Sequence, residues 1–170
     1  MVDLRSGCPI NLSVEVLGDR WSLVVLRDIM FGNFRTYGDI HGHSLEGIAT
    51  NILASRLKRL TDEGLIVAAS DPGHKQRTIY SLTEKAIALV PVMAALGAWG
   101  VRFLPASPQF AARSIALDAG GPAMWADFMD ELRHLHLGAP APARSVLAEL
   151  ERAYRAAADA ADLHPSASDD

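Results

Sequence analysis

The residues best suited to chemistry lie in one stretch, residues 47–66, which reads GIATNILASRLKRLTDEGLI. Amide, hydroxyl and cationic side chains recur there opposite an apolar stripe or on its flanks; they are Thr50, Asn51, Ser55, Arg56, Lys58 and Arg59. Such groups can hydrogen-bond to base edges or neutralise phosphates while the apolar side packs on the protein. Ordinary amphipathic surface helices also carry charged outer faces, so this stretch alone leaves both interpretations open.

The apolar stripe predicts the element that carries these side chains. Leu53, Leu57 and Leu60 fall at positions i, i+4 and i+7, which is one face of an α-helix. Gly64 follows the last turn and suits a left-handed cap. We therefore predict a helix over residues 50–63.

Three shorter elements precede this helix. Pro9 predicts the start of a helix that runs to about Leu17, because proline is favoured at the first helical position. Further helices are predicted from Trp21 to about Met30 and from Phe34 to Ile40, followed by a polar turn over residues 41–47. A short helix, a turn and a helix with a polar outer face form the layout of a helix-turn-helix.

A β-hairpin is predicted directly after the helix. Residues 65–69 and 78–82 read as two strands, and the loop between them carries basic residues that include Lys75 and Arg77. Most basic hairpin loops are merely solvated, but a hairpin in this position completes a winged helix. Lys75 and Arg77 would then lie on the DNA backbone or in a neighbouring minor groove.

A long apolar helix should follow, from residue 85 to about 104, with a kink or restart at Pro91. Its apolar residues are spread over more than one face, and a small winged helix cannot bury them all. We infer a partner helix, most simply from a second copy of the chain. The alternative is burial under the C-terminal segment.

Taken in order, these features resemble the HxlR family of winged-helix transcriptional regulators, relatives of the MarR group. The matching residues are Cys8-Pro9, Gly18-Asp19-Arg20-Trp21, Leu26-Arg27-Asp28, 34–40, 47–51, Leu53, Arg56-Leu57, Leu60, Gly64-Leu65, 80–84, Pro91-Val92, Leu96 and Trp99. The resemblance covers about residues 8–104. It departs in lacking a common glycine after Lys85-Ala86 and in extending some 66 residues beyond the family's usual end.

The resemblance implies a homodimer that binds specific DNA sequences, with N- and C-terminal helices at the dimer interface. The fold class is then mainly α with a small β-hairpin: a winged helix-turn-helix domain over residues 8–104 plus a C-terminal helical extension. Two copies should place their recognition helices about 34 Å apart on a pseudo-palindromic operator. The alternative is a winged-helix protein–protein interaction module that does not bind DNA.

Within this scheme the helix at 50–63 enters the major groove. We expect Thr50, Asn51 and Ser55 to contact base edges. Arg56, Lys58 and Arg59 should contact the backbone or guanine.

The single cysteine, Cys8, is a candidate redox sensor. Some family members sense electrophiles or oxidants through a cysteine near the N-terminus, and Cys8 matches that position. A thiol at a helix N-terminus has a lowered pKa because it lies at the positive end of the dipole. The alternative is an inert residue that packs the first helix.

The extension over residues 105–163 should add an element at 109–117 and helices at about 123–137 and 143–163, and residues 164–170 should form a disordered tail. A small-molecule pocket is one interpretation, with Met93, Trp99, Trp125 and Phe128 as candidate walls. Plain core packing is the alternative.

The distribution of charge and of apolar residues bears on which partners and which location the protein has. The net charge is −4, but residues 1–104 carry +1 and residues 105–170 carry −5, so the acidity lies away from the predicted recognition helix. No signal peptide and no run of about 18 uninterrupted apolar residues is visible, so we expect a cytoplasmic protein without a membrane partner. The two His-x-His pairs lack further ligands at zinc-like spacing. We predict neither metal, cofactor nor enzymatic activity.

Overall fold

The computed structural model describes residues 6–163, with Lys75 described by its backbone alone; the predicted tail at 164–170 lies outside this range. The fold class is confirmed as mainly helical with one hairpin. Within the described range the elements are α1 Pro9–Leu17, α2 Arg20–Gly32, α3 Tyr37–Gly42, α4 Thr50–Asp62, β1 Ile66–Asp71, β2 His74–Leu82, α5 Glu84–Ile87, α6 Val90–Phe103, α7 Pro108–Leu137 and α8 Val146–Leu163.

The chain divides into two compact units between Ile87 and Ala88. The sequence placed its boundary at 104/105, but the apolar helix predicted from 85 to 104 is two helices, α5 and α6. Pro91 lies in the first turn of α6, where its missing N–H costs nothing, so it begins a helix and does not kink one. α6 then packs along α7, and so belongs to the second unit.

The core of the first unit lies where α2 packs against α4. Val25, Leu26, Ile29 and Met30 of α2 are fully buried. On α4 the predicted stripe is confirmed as buried; its members are Leu53, Leu57 and Leu60. α4 therefore has one face buried in the core, and the residues of its opposite face point toward solvent.

The hairpin is antiparallel, with Ile66 opposite Leu82 and a register shift between Ser70 and Asp71. Its strands are longer than predicted because the tip is tight. The helix-turn-helix joins this sheet through a bridge between Thr36 and Ile79, beside which the backbone N–H of Tyr80 donates to the Arg35 carbonyl at 2.7 Å. The hairpin is thereby attached to α3.

The second unit is built from α6, α7 and α8. α7 is interrupted at Gly121, whose φ of 57° and ψ of −158° are open only to glycine, and Pro122 restarts it. This break falls between the two elements predicted for that region. α7 and α8 bury Phe128, Leu132, Val146 and Leu150.

One face of α6 is left open. Val92, Leu96, Trp99 and Phe103, here called the α6 stripe, are each between 47% and 58% exposed. By length and composition alone, the segment Glu84–Phe103 could also cross a membrane, with a mean hydropathy of 1.7. The sequence reasoning missed this property because it required an unbroken apolar run. Apolar helices in the cores of soluble proteins pass the same test.

Candidate nucleic-acid interface

α4 exposes a small polar surface opposite its buried stripe. This surface, here called the reading face, consists of Thr50, Asn51, Ala54, Ser55 and Lys58, all of which are exposed. It includes the three residues predicted to contact base edges. It also includes Ala54, which the sequence reasoning missed. The signal was available, because an alanine three residues after Asn51 and four before Lys58 must share their face, and its methyl group can contact a thymine methyl.

The entry to α4 is held by hydrogen bonds from α3 and the preceding turn. The Tyr37 hydroxyl donates to the Thr50 carbonyl at 2.8 Å, and the Ile48 N–H donates to the Ser44 hydroxyl at 3.1 Å. Gly47 adopts a φ of 64°, a left-handed conformation that favours glycine. The first residues of the reading face are therefore fixed to the turn.

An ion pair ties the same turn to α2. The Arg27 guanidinium donates to both carboxylate oxygens of Glu46, at 2.6 and 2.8 Å, and to Asp28. Hydrogen bonding from Arg27 holds the pKa of Glu46 below its ordinary value, whereas burial raises the pKa of Asp28. Bidentate geometry makes this pair more directional than a single contact.

The two flanking arginines of α4 contact the protein itself. Arg56 Nε donates to Asp19 Oδ1 at 2.7 Å. Arg59 donates to the Glu15 carbonyl at 2.7 Å, and one of its nitrogens lies 3.6 Å from Asp19. Both were predicted to contact DNA. That role stays a prediction, but the structure gives each of them an internal partner.

Lys58 is the most open cation of α4, with 76% of its side chain exposed. It pairs with Asp62 at 2.6 Å across one helical turn. An exposed pair of this kind contributes little to stability and is easily exchanged for another anion. Lys58 therefore remains available to a phosphate.

The hairpin tip is stabilised by its own ion pair. Arg77 donates to Asp71 at 2.6 Å, and Asp71 also accepts the Gly73 N–H at 2.8 Å. These contacts, first the Gly73 N–H and then Arg77, lower the pKa of Asp71. About half of the Arg77 side chain is exposed. His74, Gln76 and Thr78 are exposed as well. The Lys75 side chain lies outside the described part.

Cys8 occupies the N-cap position of α1 and is exposed. The Cys8 side chain accepts no capping hydrogen bond, but the nearby backbone N–H groups of Asn11 and Ile10 lower the pKa of the thiol. The direction of this pKa change agrees with the one predicted for a thiol at a helix N-terminus. α1 itself buries none of its residues 9–17, and Ile10 and Val14 are exposed on it.

The four candidate pocket residues have different surroundings. Phe128 is fully buried, and Trp125 Nε1 donates to the Leu117 carbonyl at 2.8 Å across the break in α7. Trp99 is exposed and packs against Phe103, with ring centroids 5.5 Å apart; Met93 is partly buried. An open cleft of about 360 Å³ lies elsewhere in this unit, lined by Asp127, Asp130, Arg133, Ala139, Pro140, Pro142, Ala143 and Arg144.

The histidine pairs have protein partners. His43 Nδ1 lies 2.9 Å from the Asp39 carbonyl, and His134 Nδ1 lies 2.8 Å from the Ala139 carbonyl. Among the described residues, three or more potential metal ligands do not come together anywhere.

Comparison with known proteins matches this arrangement to one family. The model of the HxlR-like helix-turn-helix family matches residues 16–108, more than half of the chain. MalR of Fusobacterium mortiferum, assigned as a regulatory protein, is 29% identical over 104 residues, which are 59% of this chain and 97% of MalR. The HTH-type transcriptional regulator Rv3095 of Mycobacterium tuberculosis, itself uncharacterized, is 34% identical over 58% of this chain and 61% of its own length.

A solved structure is similar as well. PA1607, described as a transcription factor, superposes with a TM-score of 0.55 and 33% identity, over 60% of this chain and 69% of PA1607. The sequence and structure matches each cover about 60% of this chain or less. The family match itself ends at residue 108, so most of α7 and all of α8 lie beyond it.

Proposed function

Because the chain belongs to the HxlR-like helix-turn-helix family, we propose that it is a non-enzymatic, cytoplasmic transcriptional regulator that binds a specific DNA sequence as a homodimer. The observation that supports this proposal most is the reading face. It places an amide, two hydroxyls and a cation on the open side of a helix whose other side is buried in the core. This combination suits entry into a major groove.

Each exposed group has a proposed role. Thr50, Asn51 and Ser55 contact base edges, while Lys58 contacts a phosphate or guanine. Lys75 and Arg77 place the hairpin on the backbone. Arg77→Ala should weaken binding to all duplexes alike and reduce the salt dependence of the affinity. Asp71→Asn is the matched control, because it removes the ion-pair partner of Arg77 and keeps the cation.

The homodimer is supported by the open apolar surfaces. The α6 stripe exposes two aromatic and two aliphatic side chains, and α1 exposes Ile10 and Val14. A row of exposed apolar side chains along one helix face, such as the α6 stripe, is typical of an association site. A second copy can cover the same stripe on both protomers, because a two-fold interface pairs a surface with itself. The operator should then be pseudo-palindromic.

The proposal includes a response through Cys8. Its thiol is exposed and has a lowered pKa, so an electrophile can add to the thiolate. With a single cysteine in each chain, an oxidant can join only Cys8 to Cys8 of a second copy or to another thiol. If treatment with diamide or an aldehyde affects the Cys8→Ser variant as much as the wild type, this part of the proposal is wrong.

A small-molecule effector is the remaining part of the proposal. It would bind near Met93, Trp99, Trp125 and Phe128 in the second unit. Alanine at Trp125 should then weaken the effector response while leaving DNA affinity in the effector's absence unchanged.

The proposal is tested by recovering the fragments that the purified protein binds from a genomic DNA pool, with and without diamide. The expected result is a small set of fragments that share an inverted repeat, with half-sites about one DNA turn apart. Recovery without sequence enrichment, together with no salt-dependent affinity for any duplex, would favour the protein–protein interaction module.

A further inference from the structure

One carboxylate in the first unit connects three helices. Asp19 caps the start of α2: its Oδ1 accepts the backbone N–H groups of Trp21 and Ser22 at 3.1 and 3.0 Å. Its Oδ2 accepts the Ser22 hydroxyl at 2.5 Å, and Ser22 is fully buried. Three donors at the start of α2 therefore fix the orientation of this carboxylate independently of its contacts with other helices.

The same carboxylate reaches α4 and is linked to α1. Arg56 Nε donates to Oδ1 at 2.7 Å, and about three quarters of each of these two side chains is buried. Arg59, one turn further along α4, lies 3.6 Å from Oδ2 and donates to the Glu15 carbonyl in the last turn of α1. A cation at that end of α1 also complements the helix dipole. We call Asp19, Arg56 and Arg59 the Asp19 clamp.

The electrostatics agree with this geometry. Burial alone would raise the pKa of Asp19, but the Ser22 hydrogen bonds and the attraction of Arg56 together hold the pKa below its ordinary value. Asp19 is therefore charged at neutral pH, and the contact with Arg56 is charge-assisted.

From these contacts we propose that Asp19 is a positioning residue for DNA recognition, and that Arg56 acts through Asp19 and not through a phosphate. The buried leucine stripe attaches α4 to α2, but apolar contact is non-directional and tolerates small rotations. Successive residues of a helix are separated by about 100° around its axis, so each side chain points in a direction set by the rotation of the helix. A rotation of α4 would therefore turn Asn51 and Ser55 away from the base edges. The directional contact of Arg56 with a fixed carboxylate opposes that rotation.

The proposal makes a prediction opposite in sign to simple charge effects. Asp19 is an anion beside the proposed DNA-binding helix, so removing its charge should by electrostatics alone strengthen binding to every duplex. If Asp19 positions α4, removing its charge should instead weaken binding to the operator. The two expectations cannot both hold.

The test compares Asp19→Asn with Asp62→Asn in the full chain. Asparagine is also a good N-cap and retains an acceptor, so the start of α2 is preserved while the charge is lost. Asp62 is a matched control because it is an anion on α4 itself, and its partner there is the exposed Lys58. Affinity is measured by fluorescence anisotropy, for the selected operator and for an unrelated duplex, at several salt concentrations.

We expect Asp19→Asn to bind the operator about tenfold more weakly, with unrelated DNA bound as well as or better than by the wild type. Asp62→Asn should bind both duplexes as well as or better than the wild type. The salt dependence of Arg56→Gln should equal that of the wild type, because no phosphate contact is lost. The double variant Asp19→Asn/Arg56→Gln should lose no more affinity than the weaker-binding single variant.

Unchanged or tighter operator binding by Asp19→Asn would overturn the proposal. A salt slope reduced by about one in Arg56→Gln would also overturn it, by making Arg56 a phosphate contact. If Asp19→Asn is unfolded by circular dichroism, Arg56→Gln alone decides through the same slope. The inference rests on the proposed function, but different experimental results would refute the two. A wild type that does not prefer any duplex refutes both, whereas a specific wild type with an equally specific Asp19→Asn refutes the clamp alone.

Discussion

α4 and α6 are helices of nearly equal length, but α4 buries its apolar face and α6 leaves much of its apolar surface exposed. α4 buries its leucines at 57 and 60 to 2% exposure or less and presents polar groups outward. α6 buries Val90 and Ala94 but leaves Trp99 and Phe103 more than half exposed. The apolar face of α4 is therefore buried within one chain, whereas α6 has apolar surface that residues 6–163 leave exposed.

This difference indicates which kind of partner each helix suits. A polar face held in place by ion pairs and hydrogen bonds can bind a polar, charged surface such as a DNA groove. When it dissociates, its polar groups are hydrated again and no apolar surface is exposed to water. An open apolar stripe gains free energy only when it is covered, at roughly 25 cal/mol per Å². We therefore expect substitutions on α4 to divide into folding and DNA effects, and substitutions on α6 to act on association.

The largest effect is expected in the buried stripe of α4. Leu57→Ala should lower the free energy of unfolding by about 2–5 kcal/mol, because it leaves a cavity between α4 and its neighbours. Urea unfolding followed by circular dichroism measures this. Ser55→Ala on the reading face is the matched control and should change stability by less than about 0.5 kcal/mol. Similar losses for both variants would contradict the assignment of the two faces.

A charge in the α6 stripe should act on association. Leu96→Glu should weaken the dimer by at least about 2 kcal/mol, or roughly thirtyfold, because an unpaired carboxylate would be buried at the interface. Sedimentation equilibrium measures the dissociation constant. Ala156→Glu adds the same charge to an exposed position of α8 and should leave the dimer intact. A Leu96→Glu dimer as tight as that of the wild type would place the interface elsewhere.

Asn51→Ala tests base reading by α4. It should reduce discrimination at one or two base pairs by about 1–3 kcal/mol while leaving folding unchanged. Anisotropy competition with single-base operator variants measures this loss. A uniform loss across all variants would instead assign Asn51 to the phosphate contacts.

The smallest effect on folding is expected at Lys58. Lys58→Ala should change the free energy of unfolding by no more than about 0.5 kcal/mol, because its pair with Asp62 is exposed. It should reduce the salt slope of DNA binding by about one, as expected for one lost phosphate contact. An unchanged slope, measured between two salt concentrations, would remove Lys58 from the interface.

The order of elements and the buried face of α4 could be predicted because both depend on local periodicity. The leucine spacing identified the inner side of α4, and the outer side followed. The partners of Arg56 and Arg59 could not be predicted in this way. A flanking arginine looks the same in sequence whether it contacts a phosphate or a carboxylate 37 positions away, as Arg56 contacts Asp19.

The division between the units escaped prediction for a similar reason. Pro91 is compatible with a kink or with a new helix, and only the packing of α6 along α7 distinguishes them. Gly97 contributes to that packing, because a Cβ there would lie 2.9 Å from the Ser114 hydroxyl. Close approach of two helices depends on pairs of residues distant in sequence.

The most direct test of the account is the ratio of affinities for the selected operator and for a scrambled duplex of the same composition, at near-physiological salt. We predict a ratio of at least about 10³, as is typical of specific regulators, and an affinity for both duplexes that falls as salt rises. Equal affinities for the two duplexes would contradict sequence-specific recognition by α4.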